Sequence, residues 1–192
     1  RDVGYWARTI GSRAAEAGWL VVSGAAAGCD NAAIQGALKS SGLNPSGAIS
    51  ILPCGINQLA PRKSAVLSVC EPNAPFSPAQ AMERNTLLYA SSEWAIVAHS
   101  RFREGGTWAG CTDAMRRRLC RIAVSKLSHE LALQSLCALG ANQVADWDDF
   151  EQLRKQSQAG VLPMLYESSE AQKYISNVFR ETSSKYQTRK VA

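Results

Sequence analysis

The sequence has no uninterrupted apolar run close to the roughly 18 residues that a membrane-spanning helix needs. Its first residues also lack the basic-then-apolar order of a secretory signal peptide. Apolar residues make up 46% of the 192 residues, and glycine and proline number only 14 and 7, which excludes collagen-like and wholly disordered chains. We therefore expect a globular protein without a membrane segment.

Metal ligands are also scarce. The chain has six cysteines, none of them in a CxxC pair, and only two histidines. Structural zinc sites use closely spaced cysteines and histidines, so we predict no metal site, and we predict no cofactor. Free thiols are typical of a reducing compartment, which favours a cytoplasmic protein.

Positive charge is concentrated in two segments of a chain whose formal net charge is +5. Between positions 101 and 126, seven basic residues accompany two acidic ones. A second basic cluster lies between positions 173 and 190. Each cluster is either a solvated surface or a track for the phosphates of a nucleotide or a nucleic acid.

Short apolar runs alternate with helical patterns along the chain. Continuous apolar runs are typical of strands buried on both faces of a parallel sheet. The predicted strands are 20–23, 48–52, 94–99 and 120–124, and the predicted helices are 2–17, 31–38, 78–91, 106–119 and 128–139. Asp30 is the predicted N-cap of the second helix. This alternation predicts an α/β fold with a doubly wound, mainly parallel, Rossmann-like sheet and helices on both faces.

The same pattern predicts the domain organisation. Residues 1–150 form the predicted α/β domain, and residues 151–192 form a peripheral helix followed by a polar, basic tail. The chain opens in a helical pattern, although such folds normally begin with a strand. We therefore expect a first strand upstream of Arg1.

Two loops rich in small residues follow predicted strands and lead into predicted helices. Backbone amides and a helix N-terminus favour anions at such places, so either loop is a phosphate cradle or an ordinary tight turn. Neither loop is a Walker sequence or a GxGxxG fingerprint. Loops at the carboxyl ends of neighbouring parallel strands would face one crevice. The candidate residues are Ser23, Gly24, Gly28 and Asp30 in the first loop, and Gly105, Gly106 and Thr107 in the second.

A third candidate is the Arg84-Asn85 pair in a predicted helix. Arginine suits bidentate contact with phosphate, and asparagine both donates and accepts hydrogen bonds. The alternative is a surface arginine beside a capping asparagine.

Several motifs occur in the order in which one known family carries them. They are SGAAAGCD, AISILPCG, AMERN, EWAIVAHS and GGTWAG. In this order they resemble the Rossmann-like domain of the DNA-processing protein A (DprA/Smf) family, and of single-domain relatives in the wider SLOG superfamily, over about residues 1–150. The family's phosphate-loop pattern, RN pair and GGT loop match the candidate residues above, and Arg1 matches the arginine of a turn that ends the family's first strand.

The resemblance implies a protein that binds single-stranded DNA and assists a RecA-type recombinase in DNA uptake and processing, paired as a homodimer. Some positions depart from the family pattern. Ile34 stands where many members have histidine, and Ser125-Lys126 stands where many have Pro-Gly. The last forty residues offer no evident winged-helix domain.

Two functions from different classes remain open at this point. The first is a non-enzymatic binder of single-stranded DNA, with Phe102 or Trp108 stacking on bases. The second is a nucleotide-binding sensor of the SLOG type or a nucleotide phosphoribohydrolase, in which Asp113 would be the catalytic acid. Of the two interpretations of Asp113, we favour a surface ion pair with Arg116 or Arg117. We expect the non-enzymatic function.

Overall fold

The structure, a computed structural model, describes residues 2–40, 47–58, 64–127 and 130–159. Helices and strands alternate through these residues, as the sequence predicts. The helices are α1 (Val3–Glu16), α2 (Cys29–Ser40), α3 (Pro78–Ala90), α4 (Gly105–Arg117), α5 (Leu131–Ala138) and α6 (Trp147–Ala159). The strands are β1 (Val21–Ser23), β2 (Ala48–Leu52), β3 (Ala65–Ser68), β4 (Trp94–Val97), β5 (Arg121–Ser125) and β6 (Asn142–Val144), with a short 3-10 turn at Ile56–Gln58.

The strands form two three-stranded sheets, in the orders β1-β2-β3 and β4-β5-β6. Every pairing is parallel, which confirms the predicted strand direction. Helices α2, α4 and α5 connect β1 to β2, β4 to β5 and β5 to β6, whereas among the described residues between β2 and β3 there is only the 3-10 turn. Because all pairings are parallel, the carboxyl ends of the strands in each sheet lie along one edge. The loops that follow β1 and β4 therefore leave from carboxyl ends of strands.

Side chains of the second sheet alternate between two apolar clusters. Ile122 and Val124 of β5 pack in a cluster with residues of α3, α4 and α5. Ala123, between them, packs in a cluster with residues of α1 and α6. Helices therefore cover both faces of this sheet, and the α/β class with flanking helices is confirmed.

Helices α1 and α2 pack with their backbones in close contact. A Cβ atom on Gly11 would lie 2.1 Å from the carbonyl oxygen of Ala33, and one on Gly36 would lie 2.0 Å from that of Arg8. Only glycine permits this approach. The middle of α2 is thereby held against α1.

Element boundaries differ from the predictions in several places. Strands β3 and β6 were not predicted, and β4 ends at Val97 rather than at position 99. Both missed strands lie at the edge of a sheet and carry exposed residues. β6 begins with two polar residues, whereas β3 has a run of three apolar residues that the prediction missed. The predicted helix over 128–139 is found at Leu131–Ala138, and positions 128 and 129 lie outside the described residues.

The C-terminal boundary can be compared with the structure only as far as position 159. Helix α6 crosses the boundary predicted after position 150, and Phe150 is 2% exposed in the apolar cluster beneath α1. Arg1 and the predicted tail from position 160 to 192 lie outside the described residues.

Candidate functional site

Arg84 is buried at the junction of α3 with the first sheet. The residue is only 6% exposed. Its Nη1 atom donates a hydrogen bond to the carbonyl oxygen of Gly24 and another, of 2.5 Å, to that of Ile51. A Cβ atom on Gly24 would lie 2.6 Å from the same nitrogen. The guanidinium therefore lies directly against the loop that follows β1, and Arg84 is not the surface arginine of the alternative interpretation.

The positive charge of Arg84 is only partly balanced. Its hydrogen-bond acceptors are two carbonyl groups and the side-chain amide oxygen of Asn85, all of them neutral. Burial lowers the pKa of the guanidinium, and the nearby carboxylate of Asp30 opposes this shift. Arginine stays protonated in proteins, so the crevice contains a buried cation.

Asn85 connects the same helix to the second loop. Its Oδ1 accepts a 3.2 Å hydrogen bond from Nε of Arg84, and its Nδ2 donates a 3.4 Å bond to the carbonyl oxygen of Gly106. A Cβ atom on Gly106 would lie 3.0 Å from that amide nitrogen. Gly106 lies in the first turn of α4, so consecutive residues of α3 connect the loop that follows β1 with the start of the helix that follows β4.

The first loop has a strained backbone, and the carboxylate of Asp30 accepts a hydrogen bond from within the loop. Ala25 and Gly28 have φ angles of 56° and 91°. The sequence predicted that Asp30 precedes α2 as its N-cap. This prediction is wrong, because α2 begins at Cys29 and Asp30 lies in its first turn. The Asp30 carboxylate accepts a 3.4 Å hydrogen bond from the amide of Ala26. This carboxylate would repel an anion placed at that amide, whereas Arg84 would attract one.

The second loop leads into α4 through a glycine in the left-handed region. Gly105 has a φ angle of 75°, and Glu104, which precedes the helix, makes no capping hydrogen bond with its side chain. Thr107 is exposed at the first turn of α4. Thr107 and the first amides of α4 therefore lie at the same helix N-terminus, where anions are favoured.

An aromatic and basic group lies immediately before α4. The rings of Phe102 and Trp108 are edge to face, with centroids 5.1 Å apart. The guanidinium of Arg103 lies 5.1 Å from the centroid of Phe102. Phe102 is 37% exposed, whereas Trp108 packs partly against the core. Of the two predicted stacking residues, Phe102 is therefore the more accessible.

The basic segment between positions 101 and 126 does not form one track. Helix α4 has 13 residues, which at ~1.5 Å per residue separates its two ends by about 20 Å. Arg101 and Arg103 precede the helix beside the second loop, whereas Arg116 and Arg117 lie in its last turn. Arg121 begins β5, where it stacks on Trp94 at the amino end of the sheet. Only the first two arginines lie near the crevice.

Asp113 is engaged in ion pairs. Its carboxylate accepts hydrogen bonds from Arg116 and, at 3.2 Å, from Arg117. Burial alone would raise the pKa of this carboxyl, but the two arginines lower it below its usual value. This arrangement is the surface ion pair that the sequence offered as the alternative to a catalytic acid.

One pair at the carboxyl ends of the second sheet was not predicted. Nδ1 of His99, beyond β4, lies 2.8 Å from Oε1 of Glu130, which precedes α5. No sequence spacing connects two residues 31 positions apart. Within the described ranges, no group of three or more His, Cys, Asp or Glu side chains is placed to hold a metal ion.

Comparison with known proteins decides the family. A sequence model of the DNA recombination-mediator protein A family matches residues 2–153. The chain belongs to this family. The match covers every described element as far as α6 and confirms the resemblance found in the sequence. No curated protein sequence matches the chain.

Solved structures of DNA processing protein A share the fold. One is the protein from Helicobacter pylori, whose structure was described for its single-stranded DNA binding mode. It matches this chain with a TM-score of 0.66 and 21% sequence identity, and the match covers 80% of this chain and 74% of the Helicobacter pylori chain. The Streptococcus pneumoniae protein has a TM-score of 0.66 and 22% identity, covering 78% of this chain. The match spans only 56% of the pneumococcal chain.

The fold also occurs outside DNA processing. The Moco carrier protein of Chlamydomonas rheinhardtii has a TM-score of 0.57 and 20% identity, covering 82% of this chain and 88% of its own. At such identities, structural likeness shows the fold alone. Among the helices in the described part of the chain, none is long and apolar enough to span a bilayer.

Proposed function

We propose that this protein binds single-stranded DNA, without catalysing a reaction, in the crevice between the loops that follow β1 and β4. One observation carries the proposal: Arg84 and Asn85 link the two loops, and the guanidinium of Arg84 places a buried positive charge between them. The family to which the chain belongs consists of recombination mediators, and the Helicobacter pylori relative binds single-stranded DNA. Both are consistent with a phosphate-binding crevice.

The electrostatics of the crevice suit a phosphate backbone. Arg101 and Arg103 are exposed beside the second loop. Glu104 forms only a long, exposed ion pair of 3.8 Å with Arg101, and such pairs contribute little. Both arginines are therefore available to phosphates, with Arg84 contributing its field from beneath the first loop. Binding of this kind weakens steeply as salt is added.

The ring of Phe102 supports a single-stranded ligand in particular. It is partly exposed and lies under the guanidinium of Arg103. Unpaired bases stack on such rings, whereas bases in a duplex are already stacked on each other. The crevice therefore offers a base contact next to its phosphate contacts.

The test is fluorescence anisotropy of a labelled oligothymidine at several salt concentrations, with Arg103→Ala and Phe102→Ala variants. Loss of one phosphate contact in Arg103→Ala should flatten the slope of log K against log salt by about 0.7. Loss of stacking in Phe102→Ala should cost about 1–3 kcal/mol and leave the slope unchanged. Lys155→Ala, which removes an exposed positive charge from α6, is the matched control and should change neither.

AMP and ADP-ribose are included as competitors. The proposal expects them to displace the oligonucleotide poorly, because they offer few phosphates. Absence of DNA binding at low salt, with a nucleotide bound instead, would contradict the proposal and favour the nucleotide sensor.

We extend the proposal to the protein's setting and partners. A cytoplasmic homodimer that helps a RecA-type recombinase onto single-stranded DNA fits a family of recombination mediators. Light scattering of the purified chain tests the dimer. Recombinase filament formation on coated single-stranded DNA, with and without the protein, tests the mediator role: no acceleration would contradict it.

A further inference from the structure

Cys54 and Cys70 lie opposite each other just beyond two neighbouring strands. Strands β2 and β3 pair in parallel, with Cα partners from Ile49↔Ala65 to Leu52↔Ser68. The same offset, continued two residues past each strand, places Cys54 opposite Cys70. The two cysteines thus leave the same edge of the sheet on adjacent chains.

One hydroxyl group holds both cysteines at the backbone. Oγ of Ser68 donates a 2.7 Å hydrogen bond to the carbonyl oxygen of Cys54. The same oxygen accepts a 3.1 Å bond from the amide of Cys70. The backbone atoms of the two cysteines are therefore separated by a single bridging atom.

The loops that follow are also joined, so this spacing is fixed. The amide of Gly55 donates a 2.8 Å hydrogen bond to the carbonyl oxygen of Ala74, and the amide of Asn57 donates a 2.9 Å bond to that of Pro72. Adjacent strands lie about 4.8 Å apart, and disulfides join Cα atoms about 4.4–6.8 Å apart. The backbone spacing at this pair suits a disulfide.

We propose that Cys54 and Cys70 form a thiol-modification site that reacts with small-molecule disulfides and closes into an intramolecular disulfide. Cys70 is partly exposed and is the thiol that reacts first. Cys54 is buried, 5% exposed, and is the thiol that resolves the product. The site lies next to the DNA crevice, since Cys54 is close enough to Arg84 to influence it electrostatically.

The reaction is two successive thiol–disulfide exchanges. The Cys70 thiolate attacks one sulfur of oxidised glutathione, forms a mixed disulfide and releases one glutathione thiolate. The Cys54 thiolate then attacks the Cys70 sulfur, forms the Cys54–Cys70 bond and releases the second glutathione. Two protein thiols lose two protons and two electrons, and one glutathione disulfide becomes two glutathione thiols.

The chemistry of the thiols sets the pH dependence. Burial raises the pKa of Cys70, and the nearby Cys54 raises it further. The hydrogen bond with Ser68 lowers this pKa, but by less than burial raises it. The thiolate is the reactive form, so exchange should accelerate as the pH rises above neutrality. Cys111 and Cys120 are more deeply buried than Cys70, and burial raises their pKa values to about 11 and about 12. They should stay reduced and serve as an internal control.

The test uses the whole folded chain, incubated with oxidised glutathione, alkylated, digested and analysed by mass spectrometry. We expect a cross-linked peptide that joins Cys54 to Cys70, that forms faster at higher pH and that disappears on reduction. Glutathione that remains on Cys70 without a cross-link would overturn the proposal.

Two variants separate the steps. In Cys54→Ser, the first exchange should proceed and glutathione should stay on Cys70, whereas an unmodified Cys70 would overturn its role as the entry thiol. Cys137→Ser, at a partly exposed cysteine on α5, is the matched control and should leave the cross-link unchanged. All these measurements are independent of DNA binding.

Discussion

Arg84 and Asn85 are consecutive residues of α3, yet they hydrogen-bond to loops that follow different strands in different sheets. Arg84 reaches Gly24 beyond β1, and Asn85 reaches Gly106 beyond β4. The bond between their side chains, 3.2 Å long, couples the two contacts. The crevice is therefore one unit rather than two separate turns, and its parts can be tested one at a time.

The first prediction concerns the contact between Gly24 and the guanidinium. Gly24→Ala would place a Cβ atom 2.6 Å from Nη1 of Arg84, which is buried and cannot move aside freely. Overpacking of this kind should lower the free energy of unfolding by about 1–3 kcal/mol, measured by urea denaturation. Gly4→Ala, in the first turn of α1 beside the exposed Asp2, is the control and should leave stability nearly unchanged.

The second prediction separates the charge of Arg84 from its shape. Arg84→Met leaves the carbonyl oxygens of Gly24 and Ile51 without their donor, so it should destabilise the fold by about 2 kcal/mol or more. Arg84→Lys keeps a cation but loses the planar fork that also reaches Asn85. It should retain more stability than Arg84→Met while still weakening DNA binding. Equal stability of the two variants would contradict this account.

The third prediction tests the link to the second loop. Asn85→Asp keeps an oxygen acceptor for Nε of Arg84 but removes the donor to Gly106. Stability should be largely preserved, because Arg84 gains a charged partner, whereas affinity for oligothymidine should fall several-fold. Calorimetry and anisotropy on the same preparation separate the two effects. A loss of stability without a loss of affinity would be the contrary result.

The fourth prediction concerns Asp113. Its lowered pKa means that the ion pairs with Arg116 and Arg117 contribute stability above the ordinary carboxyl pKa of 3.8 and lose it as the pH falls through the lower folded value. Asp113→Asn should cost less than about 1 kcal/mol at neutral pH, because exposed pairs are weak. The difference from the unmodified protein should vanish in acid. DNA affinity at neutral pH should not fall.

Much of the fold follows from the sequence because its buried strands are continuous apolar runs. β2 is found over the predicted residues, Ala48–Leu52, and four of its five residues are buried. β6, Asn-Gln-Val, escaped prediction because an edge strand needs no such run. β3 does contain a short run, Ala-Val-Leu, and the sequence-based prediction missed it. The sequence predicted that the two glycine-rich loops meet because neighbouring parallel strands end at one edge. In the structure β1 and β4 belong to different sheets, and the link between the loops is made by Arg84 and Asn85.

Other features of the site depend on tertiary packing that no local pattern encodes. Arginine is rarely buried, so nothing in the AMERN segment indicates that Arg84 lies under Gly24, 60 residues earlier. The basic segment looked like one cluster because its residues are close in sequence. The length of α4 places four of the seven basic residues near the amino end of β5, at the opposite end of the sheet: Arg116, Arg117, Arg118 and Arg121.

The central claim is that single-stranded DNA lies across the crevice between the two loops. The most direct test is photo-cross-linking of a 5-bromouracil oligonucleotide to the protein, with the cross-linked residues identified by mass spectrometry. The account predicts cross-links within residues 101–108, where Phe102 and Trp108 lie beside the second loop. Cross-links confined to the last turn of α4 or to α6, with none beside the crevice, would contradict it.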